Sequence, residues 1–597
     1  MRQRPVDPTF RLLPGMGYGI AQPTMLALLS FGFGRPDGLA RLDSYMASIL
    51  GEPLPELTGP PDAQRAIAWR IVHWHLVLQR LQKVPVFGHG RILSTRSDAA
   101  GDEIQVAIPC VAPEATRIAL EWTLGICGRF LSAPPMVDPP GPTETDRVLE
   151  ALRPFAPTGV NNFHFLAAAD RLGVPWRPLL PGTYFFGTGR WSCRLLSSMT
   201  SQTSAMGVRT AHSKHVTARL LSAFGLPAPV HLVVASESEA VAAARGIGFP
   251  VVVKPDDQEQ GRGVMAGLRD EPSVARAYRF AREHSPRVLV ERHCEGQDFR
   301  MTVFRGEVVK IMARRAGGVV GDGEHTIRQL VEAVQNSPRF STIHRQTGRH
   351  LLALDEEAAE LLSEQGFGPE TVLGPGVRQP LRRKSNISAG GEQILVPIPD
   401  VHPDNLRLAV RAAEALELDL AGVDLIIPDI RRSWFDSDCV INEVNAIPQI
   451  GITLAPETYA SILNKLLDGR RGIPVHLLVL AGADPAVSEL QRLAKGCNGL
   501  STSAGVWVDG HLVVPRPPSG FEAARILLLE RTVEAALCVV SAGELVRFGA
   551  PAARFASIRV YGAVANDAAA TRTLAQALRM VRDFGPVSST PVPVIGD

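Results

Sequence analysis

Residues 249–264, FPVVVKPDDQEQGRGV, carry the chemistry that organises this chain. An apolar strand, Val251-Val252-Val253, delivers Lys254 at its end, and a polar loop runs on into Gly261-Arg262-Gly263. An ammonium supplies a compact positive charge, and glycines let backbone N–H groups approach an anion closely, so the pattern predicts a phosphate-binding loop. It is not the GxxxxGK[ST] spacing, which makes it a different kind of nucleotide site. Taken alone it also fits a surface turn with a solvated lysine. Upstream, SKHVTARLLSAFGLP predicts a helix capped by Ser213, with an apolar face of Val216, Leu220 and Phe224, stopped by Gly225 and Pro227. Lys214 falls in its first turn, where a cation gains nothing from the helix dipole, and this implies another task for it.

Downstream, GVDLII places Asp424 on a strand, and INEVNAIPQI places Glu443 and Asn445 on the next. Residues two apart on a strand share a face, so Glu443 and Asn445 point together toward the strand carrying Asp424. Two carboxylates and an amide oxygen are hard ligands, suited to Mg²⁺ on nucleotide phosphates, with Mn²⁺ an acceptable substitute.

Alternating strands and helices must position these groups. VLVERHCEGQDFR reads as a buried strand, Val288 to Val290, followed by an inter-domain hinge over Glu291, Arg292, His293 and Cys294. His231 to Ala235 reads as a strand and Glu237 to Gly246 as a helix; Thr326 caps a helix with the stripe Ile327, Leu330, Val331 and Val334. Nearer the start, Arg70 to Leu81 and Pro113 to Phe130 read as helices, Ile104 to Cys110 as a strand, and Ala133 to Thr143 as a loop. Past Gly472, Val475 to Leu480 and Ile526 to Glu530 read as apolar strands and Glu489 to Ala494 as a helix.

The chain has 597 residues, enough for roughly three to five domains. Its 62 basic against 60 acidic residues leave a net charge of +2, which supplies no global argument for nucleic-acid or membrane binding. Two local basic clusters, Arg314-Arg315 and Arg382-Arg383-Lys384, flank the candidate site. Seven scattered cysteines without a CxxC argue against a disulfide framework or zinc site and fit a reducing cytosol. The start, MRQRPVDPTF, lacks a signal-peptide core, and no apolar run is long enough to span a bilayer. His73 and His75 are two apart on an apparent helix, which splays them away from a shared metal.

The order of these pieces resembles the ATP-grasp superfamily, and more narrowly the front part of cyanophycin synthetase. GRWSCRLLSSMTSQTSAMGV (189–208), ERHCEGQDFRMTVFRGEVVKIMARRAGGVVGDGEHTIRQLVE (291–332), KSNISAGG (384–391), VHPDN (401–405) and INEVNAIP (441–448) carry the likeness, weakly from residue 1 and strongly from 160 to about 470. The resemblance implies that Lys214, Lys254 and the loop Gly261-Arg262-Gly263 contact ATP phosphates, and that backbone groups of Glu291 to Cys294 read the adenine edge, leaving side chains there weakly constrained. It implies further that Asp298 binds the ribose, that Asp424, Glu443 and Asn445 hold the metal, and that Arg300, Arg315, Asn386 and Ser388 position a carboxylate substrate. The expected fold is a multidomain α/β chain: an N-terminal α/β domain over 1–158, an α+β ATP-grasp domain over 159–471 with its phosphate-loop lid at about 213–290, and a Mur-ligase-like α/β domain over 472–597.

Departures from the family pattern accompany the likeness. Glu259-Gln260 stands where the family has Asn-His, so an imidazole is missing, and Pro448-Gln449 stands for Pro-Gly after the metal asparagine. In HLLVLAGADPAVSEL, Pro485, Ala486 and Val487 occupy the Gly-Lys-Thr positions of a second ATP site, so no ammonium or hydroxyl is there for a phosphate. The segment 472–597 is therefore expected to be a truncated, degenerate Mur-like domain without a P-loop. The expected activity is ATP-dependent amide-bond formation between a carboxylate and an amine through an acyl phosphate, on an amino acid, peptide or polyaspartate-like chain. Two other readings stand beside it: a non-catalytic ATP-binding relative, and a small-peptide or secondary-metabolite ligase. The expected setting is the cytoplasm, as a homo-oligomer without nucleic-acid or membrane partners.

Overall fold

Short polar side chains start the helices around the candidate loops. Ser213 accepts a hydrogen bond from the Val216 amide, Ser236 from that of Glu239, and Asp270 from that of Ser273, each relieving an amide that the helix cannot satisfy itself. Thr326 and Gln329 form a reciprocal capping box at the start of Ile327–Gln335, whose buried side is Ile327 and Val331. The computed structural model describes residues 9–31, 38–55, 62–98, 101–131, 142–258, 262–337, 340, 350–383, 390–451, 455–482, 484–562 and 567–588. With 39% helix and 27% strand, the chain is the expected mixed α/β type. It divides into two compact units, Met1–Ser197 with Tyr459–Asp597, and Ser198–Thr458.

The second unit is built on two main sheets. In one, Val251–Pro255 runs antiparallel to Val288–Arg292 and to Met265–Leu268, with His231–Val234 at the far edge. Helices Glu237–Ile247 and Glu271–Arg282 cover one face with Ala240, Ala244, Ala277 and Ala281 against Val251, Val253, Val288 and Val290. Small residues on both helices permit that close approach. The other sheet has five strands; its centre is Gln297–Phe304, flanked by Glu307–Arg315 and Leu420–Ile427, with Val440–Asn445 beyond. One face of this sheet buries Phe299, Met301, Ile311, Val423, Leu425, Ile441 and Val444 beneath helix Pro403–Ala415.

In the first unit, a four-stranded antiparallel sheet packs on helices Ala63–Leu81 and Pro113–Leu131 around Ile71, Trp74, Ile104 and Ile108. A second core joins Leu13, Ile20, Leu26 and Ala107 to residues of the last segment, among them Val475, Phe521, Cys538 and Met580. There Val475–Leu480 pairs in parallel with Ala536–Ser541 and Ser557–Tyr561 in a six-stranded sheet.

Three sequence readings change or fall away. Residues 526–530 are not a strand: helix Gly520–Leu527 starts at Ser519, and Phe521, Ala524 and Leu527 bury at helical spacing before a turn follows. On helix Lys214–Ala223 the buried positions are Thr217, Ala218 and Leu221, whereas Val216 and Phe224 are 43% and 54% exposed, so the inward face is rotated from the one the apolar residues suggest. The loop read over Ala133–Thr143 falls largely outside the described residues.

His73 and His75 both point into apolar surroundings, at 7% and 0% exposure. Burial pulls each imidazole down to about 4, so both are neutral in the folded chain. An unfolded imidazole takes up its proton near 6.5, so this part of the stability is complete above about pH 6.5 and drains as pH falls toward about 4. Urea unfolding of the full chain should weaken across that interval, and His73→Phe should reduce the slope; an unchanged slope would contradict neutral burial.

Candidate active site

The face of the five-stranded sheet opposite its apolar core is charged. Asp298 and Arg300 on one strand, Lys310 and Arg314 on the second, Asp424 on the third and Glu443 with Asn445 on the fourth all occupy it, as period-two alternation requires. The register sets Arg300 against Asp424, Asp298 against Arg314, and Asp424 against Glu443. Asp424, its side chain 3% exposed, accepts from Arg300 through two guanidinium nitrogens and from Arg314 at 3.1 Å. Burial alone would raise the Asp424 carboxyl, but the two guanidiniums outweigh it and hold it below the usual carboxylate range. Burial and then the Asp424 charge push Asp298 up to about 6, and its Oδ1 is buried without a hydrogen-bond partner.

Lys254 comes from the other sheet, on the side away from the covering helices. Its Nζ lies 2.7 Å from Glu291 Oε1 and donates to Asn442 Oδ1 at 3.1 Å, with the lysine and glutamate side chains 5% and 8% exposed. Asn442 reaches it because the strand Val440–Asn445 is irregular: Asp424 pairs with Glu443 but Leu425 pairs with Ile441, leaving Asn442 as the extra residue of a β-bulge. At the end of the phosphate loop, Gly263 has φ +69°, and a Cβ there would lie 2.7 Å from Pro255 and 2.8 Å from His284. Both its conformation and its space exclude a side chain.

Asp256 fixes the helix that carries Lys214. At 1% exposure it accepts from the Ser213 hydroxyl at 3.0 and 3.1 Å and from the His215 amide at 2.9 Å, and it pairs with Arg287 at 3.1 Å. A carboxylate at this helix N-terminus supplies the charge that Lys214 does not. The Lys214 ammonium donates to the Gln258 carbonyl at 2.6 Å and stands 3.9 Å from Glu443. Two buried donors hold the segment after Asn445: Ser198 Oγ to the Pro448 carbonyl at 2.8 Å and Lys310 Nζ to the Ile450 carbonyl at 2.6 Å.

The sequence-derived candidates thus divide. Lys214, Lys254, Asp298, Arg300, Asp424, Glu443 and Asn445 lie on these two sheets and the helix joined to them. Arg262 is exposed in the turn before Gly263, and Gly261, Asn386 and Ser388 lie outside the described residues. The reading of Glu291 and Arg292 as unconstrained hinge residues is corrected: the strand continues through Arg292, Glu291 neutralises Lys254, and Arg292 pairs with Asp438 at 2.9 Å. His293 donates its backbone amide to the Pro250 carbonyl, and Cys294 is half-buried beside the Asp438 carbonyl. Arg315 is exposed at its strand end; its neighbour Arg314 reaches the carboxylates, as its two-residue spacing from Met312 and Lys310 could have told. The Arg382-Arg383 cluster is spent on acidic neighbours, Asp355 at 2.9 Å and Glu364 at 2.5 Å. Asp256, Asn442 and the Glu291 side chain went unread in the sequence.

Glu443 and Asn445 fit a hard cation. The Glu443 carboxylate is 24% exposed, and Asn445 shares its face and carries an amide oxygen, both hard donors; the buried Asn445 amide nitrogen, which has no hydrogen-bond partner, is a donor and would suit an anionic oxygen instead. Asp424 fits less directly, because its oxygens are engaged by Arg300 and Arg314. Among the described residues no three His, Cys, Asp or Glu side chains gather to hold a metal by themselves, so phosphate oxygens and water would have to complete the shell.

The two sheets bring lysines and side-chain oxygens together in an α/β setting, and residues 204–303 match the family model for the ATP-grasp domain. The chain is similar to cyanophycin synthetases: it is 29% identical over 502 residues to that of Trichormus variabilis, covering 80% of this chain and 54% of the relative. The same enzyme of Crocosphaera subtropica is 28% identical over 80% of this chain and 56% of its own length. The chain therefore spans about half the length of the curated relatives it matches. The glutathione biosynthesis bifunctional protein GshAB of Mannheimia succiniciproducens is 33% identical over 39% of this chain and 31% of its own. A crystal structure of a bifunctional glutathione synthetase from Pasteurella multocida aligns with a TM-score of 0.39 at 22% identity, covering 60% of this chain and 52% of that one.

A buried ammonium stripped of its carboxylate is costly. Glu291→Ala should destabilise the unit by about 3–5 kcal/mol, while Lys254→Met with Glu291→Met recovers most of that loss because no lone charge remains. Denaturant unfolding of the single and double variants measures the difference, and equal losses would contradict the pairing.

Proposed function

We propose that the chain is an ATP-dependent carboxylate–amine ligase. The observation that carries the reading is the convergence of Lys214 and Lys254 on the strand bearing Asn442, Glu443 and Asn445, beside a sheet face that presents guanidinium groups. Lys254 and Lys214, with Arg262 and the glycines 261 and 263, bind the phosphates. Glu291 and Asn442 hold the Lys254 ammonium in place. Backbone groups of residues 291–294 meet the adenine, and Asp298 the ribose. Glu443 and Asn445, with Asp424 once released from its guanidiniums, would hold Mg²⁺ or Mn²⁺, which would supply positive charge to phosphate oxygens. Arg300 and Arg314, with Arg315, Asn386 and Ser388, orient the carboxylate substrate.

In the reaction a substrate carboxylate oxygen attacks the γ-phosphorus and ADP leaves. An amine then attacks the acyl carbon, phosphate departs with the C–O bonding pair, and the amine nitrogen loses a proton. The ammonium groups act chiefly by positioning and by spreading phosphoryl charge. The substrates are amino acids, peptides or polyaspartate-like chains, and a small-peptide ligase is the same chemistry on a shorter acceptor. The division at 158 and 471, a Mur-like segment 472–597 without its own ATP site, a homo-oligomer and a cytoplasmic setting complete the proposal. One observation favours a second reading, an ATP-binding protein without turnover: Asp424 is already occupied by two guanidiniums.

ADP release by the full chain across a panel of amino acids and dipeptides, with hydroxylamine to trap acyl phosphate, separates the two. Ligase activity predicts substrate-dependent ADP and hydroxamate; binding of an ATP analogue without either supports the second reading. Lys254→Ala should weaken analogue binding by about tenfold or more, as loss of a charge-assisted contact requires. Glu443→Gln should lower turnover far more than nucleotide affinity, and full activity in that variant at ordinary Mg²⁺ would remove Glu443 from the metal site.

A further inference from the structure

The first unit holds a cavity that the nucleotide chemistry does not use. Its volume is about 410 Å³, and its walls come from the N-terminal segment, the meander over Trp176–Thr188 and the last segment. That is within the size of small-molecule sites, roughly 300–1,000 Å³. The lining is rich in proline and aromatic rings, with Phe155, Trp176, Tyr184 and Phe521 among them.

Two guanidiniums border this apolar space, Arg177 and Arg525. Arg525 pairs with Glu522 at 3.1 Å. Arg177 does not pair with a carboxylate among the described residues: one of its nitrogens donates to the Arg525 carbonyl at 2.6 Å, and its guanidinium lies over the Phe185 ring at 5.7 Å. A guanidinium has five N–H donors, so donors are left for a ligand. Burial, and then the neighbouring Arg525 charge, pull Arg177 down to about 10, and the Glu522 charge offsets this only in part.

We propose that this cavity binds a small organic acid, with a single carboxylate on Arg177 and a flat apolar body against the aromatic and proline walls. A planar fork that donates two parallel bonds to a carboxylate supplies selectivity for that group, and the rings and prolines supply affinity for the body. The site lies within one unit and is independent of the nucleotide reading.

The test titrates the full-length chain with phenylacetate, indole-3-acetate and octanoate and with their neutral amides, followed by calorimetry and ligand-observed NMR. At least one acid should bind about tenfold tighter than its amide, the loss expected for one charge-assisted interaction. Arg177→Met should erase the difference between acid and amide, Arg177→Lys should keep only part of it because an ammonium lacks the fork, and Ala156→Phe, which fills the space, should abolish binding of both. A saturating ATP analogue should leave the acid's affinity unchanged. Unaltered thermal melts show that each variant is folded. No acid binding at millimolar concentration, equal affinity for acid and amide, binding that survives in Ala156→Phe, or displacement by the ATP analogue would each overturn the proposal.

Discussion

A cation buried to 5% exposure cannot stand alone, and the arrangement of the second unit follows from compensating Lys254. The lysine strand lies antiparallel to the one that carries Glu291, and both residues fall on the side that the covering helices leave open. That pairing neutralises the charge within one sheet. The remaining hydrogen bond comes from the other sheet, where the bulge at Asn442 turns an amide oxygen outward without moving Val444 or Ile441 from the core. The lysine is thereby held by one partner of opposite charge and one neutral partner. Its position is fixed, and a donor position stays available to an anion.

The charged sheet face obeys the same logic. Asp298, Asp424, Arg300 and Arg314 form a set with equal numbers of each sign, built from residues that alternate with core side chains on adjoining strands. Asp424 takes most of the guanidinium attention, while burial and then the Asp424 charge raise Asp298 to about 6.

The sequence told most about residues whose roles lie in strand order and caps. The strand ending in Lys254, the Ser213 cap before Lys214 and the facing of Glu443 toward Asp424 all follow from apolar runs, cap residues and alternation. What it concealed has physical causes. A bulge breaks the two-residue period, so Asn442 could not be assigned a face from spacing. Asp256 acts across 43 residues of sequence on Ser213, and nothing local marks that contact. Helix Lys214–Ala223 turns Thr217 and Ala218 inward, where small side chains permit close packing and Thr217 donates to the Thr210 carbonyl at 2.8 Å. Its larger apolar residues therefore mislead. The run Ile526 to Glu530 is apolar enough for either structure, and the Ser519 cap decides for helix.

The order of residues along the chain has a consequence for its synthesis. The second unit, Ser198–Thr458, is contiguous, whereas the first is assembled from both sides of it. Leu13, Ile20 and Leu26 belong to a core whose other buried members, Ala107 apart, begin at Ile473. At 5–20 residues per second, a ribosome needs on the order of 20–90 s to bridge the stretch from Leu26 to Ile473. During that time the face of the early strands that carries Leu13 and Leu26 lacks the partners of the last segment, while the second unit can already close. The N-terminal segment is thus the part of the molecule with the longest wait, and the part for which a chaperone's shelter during translation matters most.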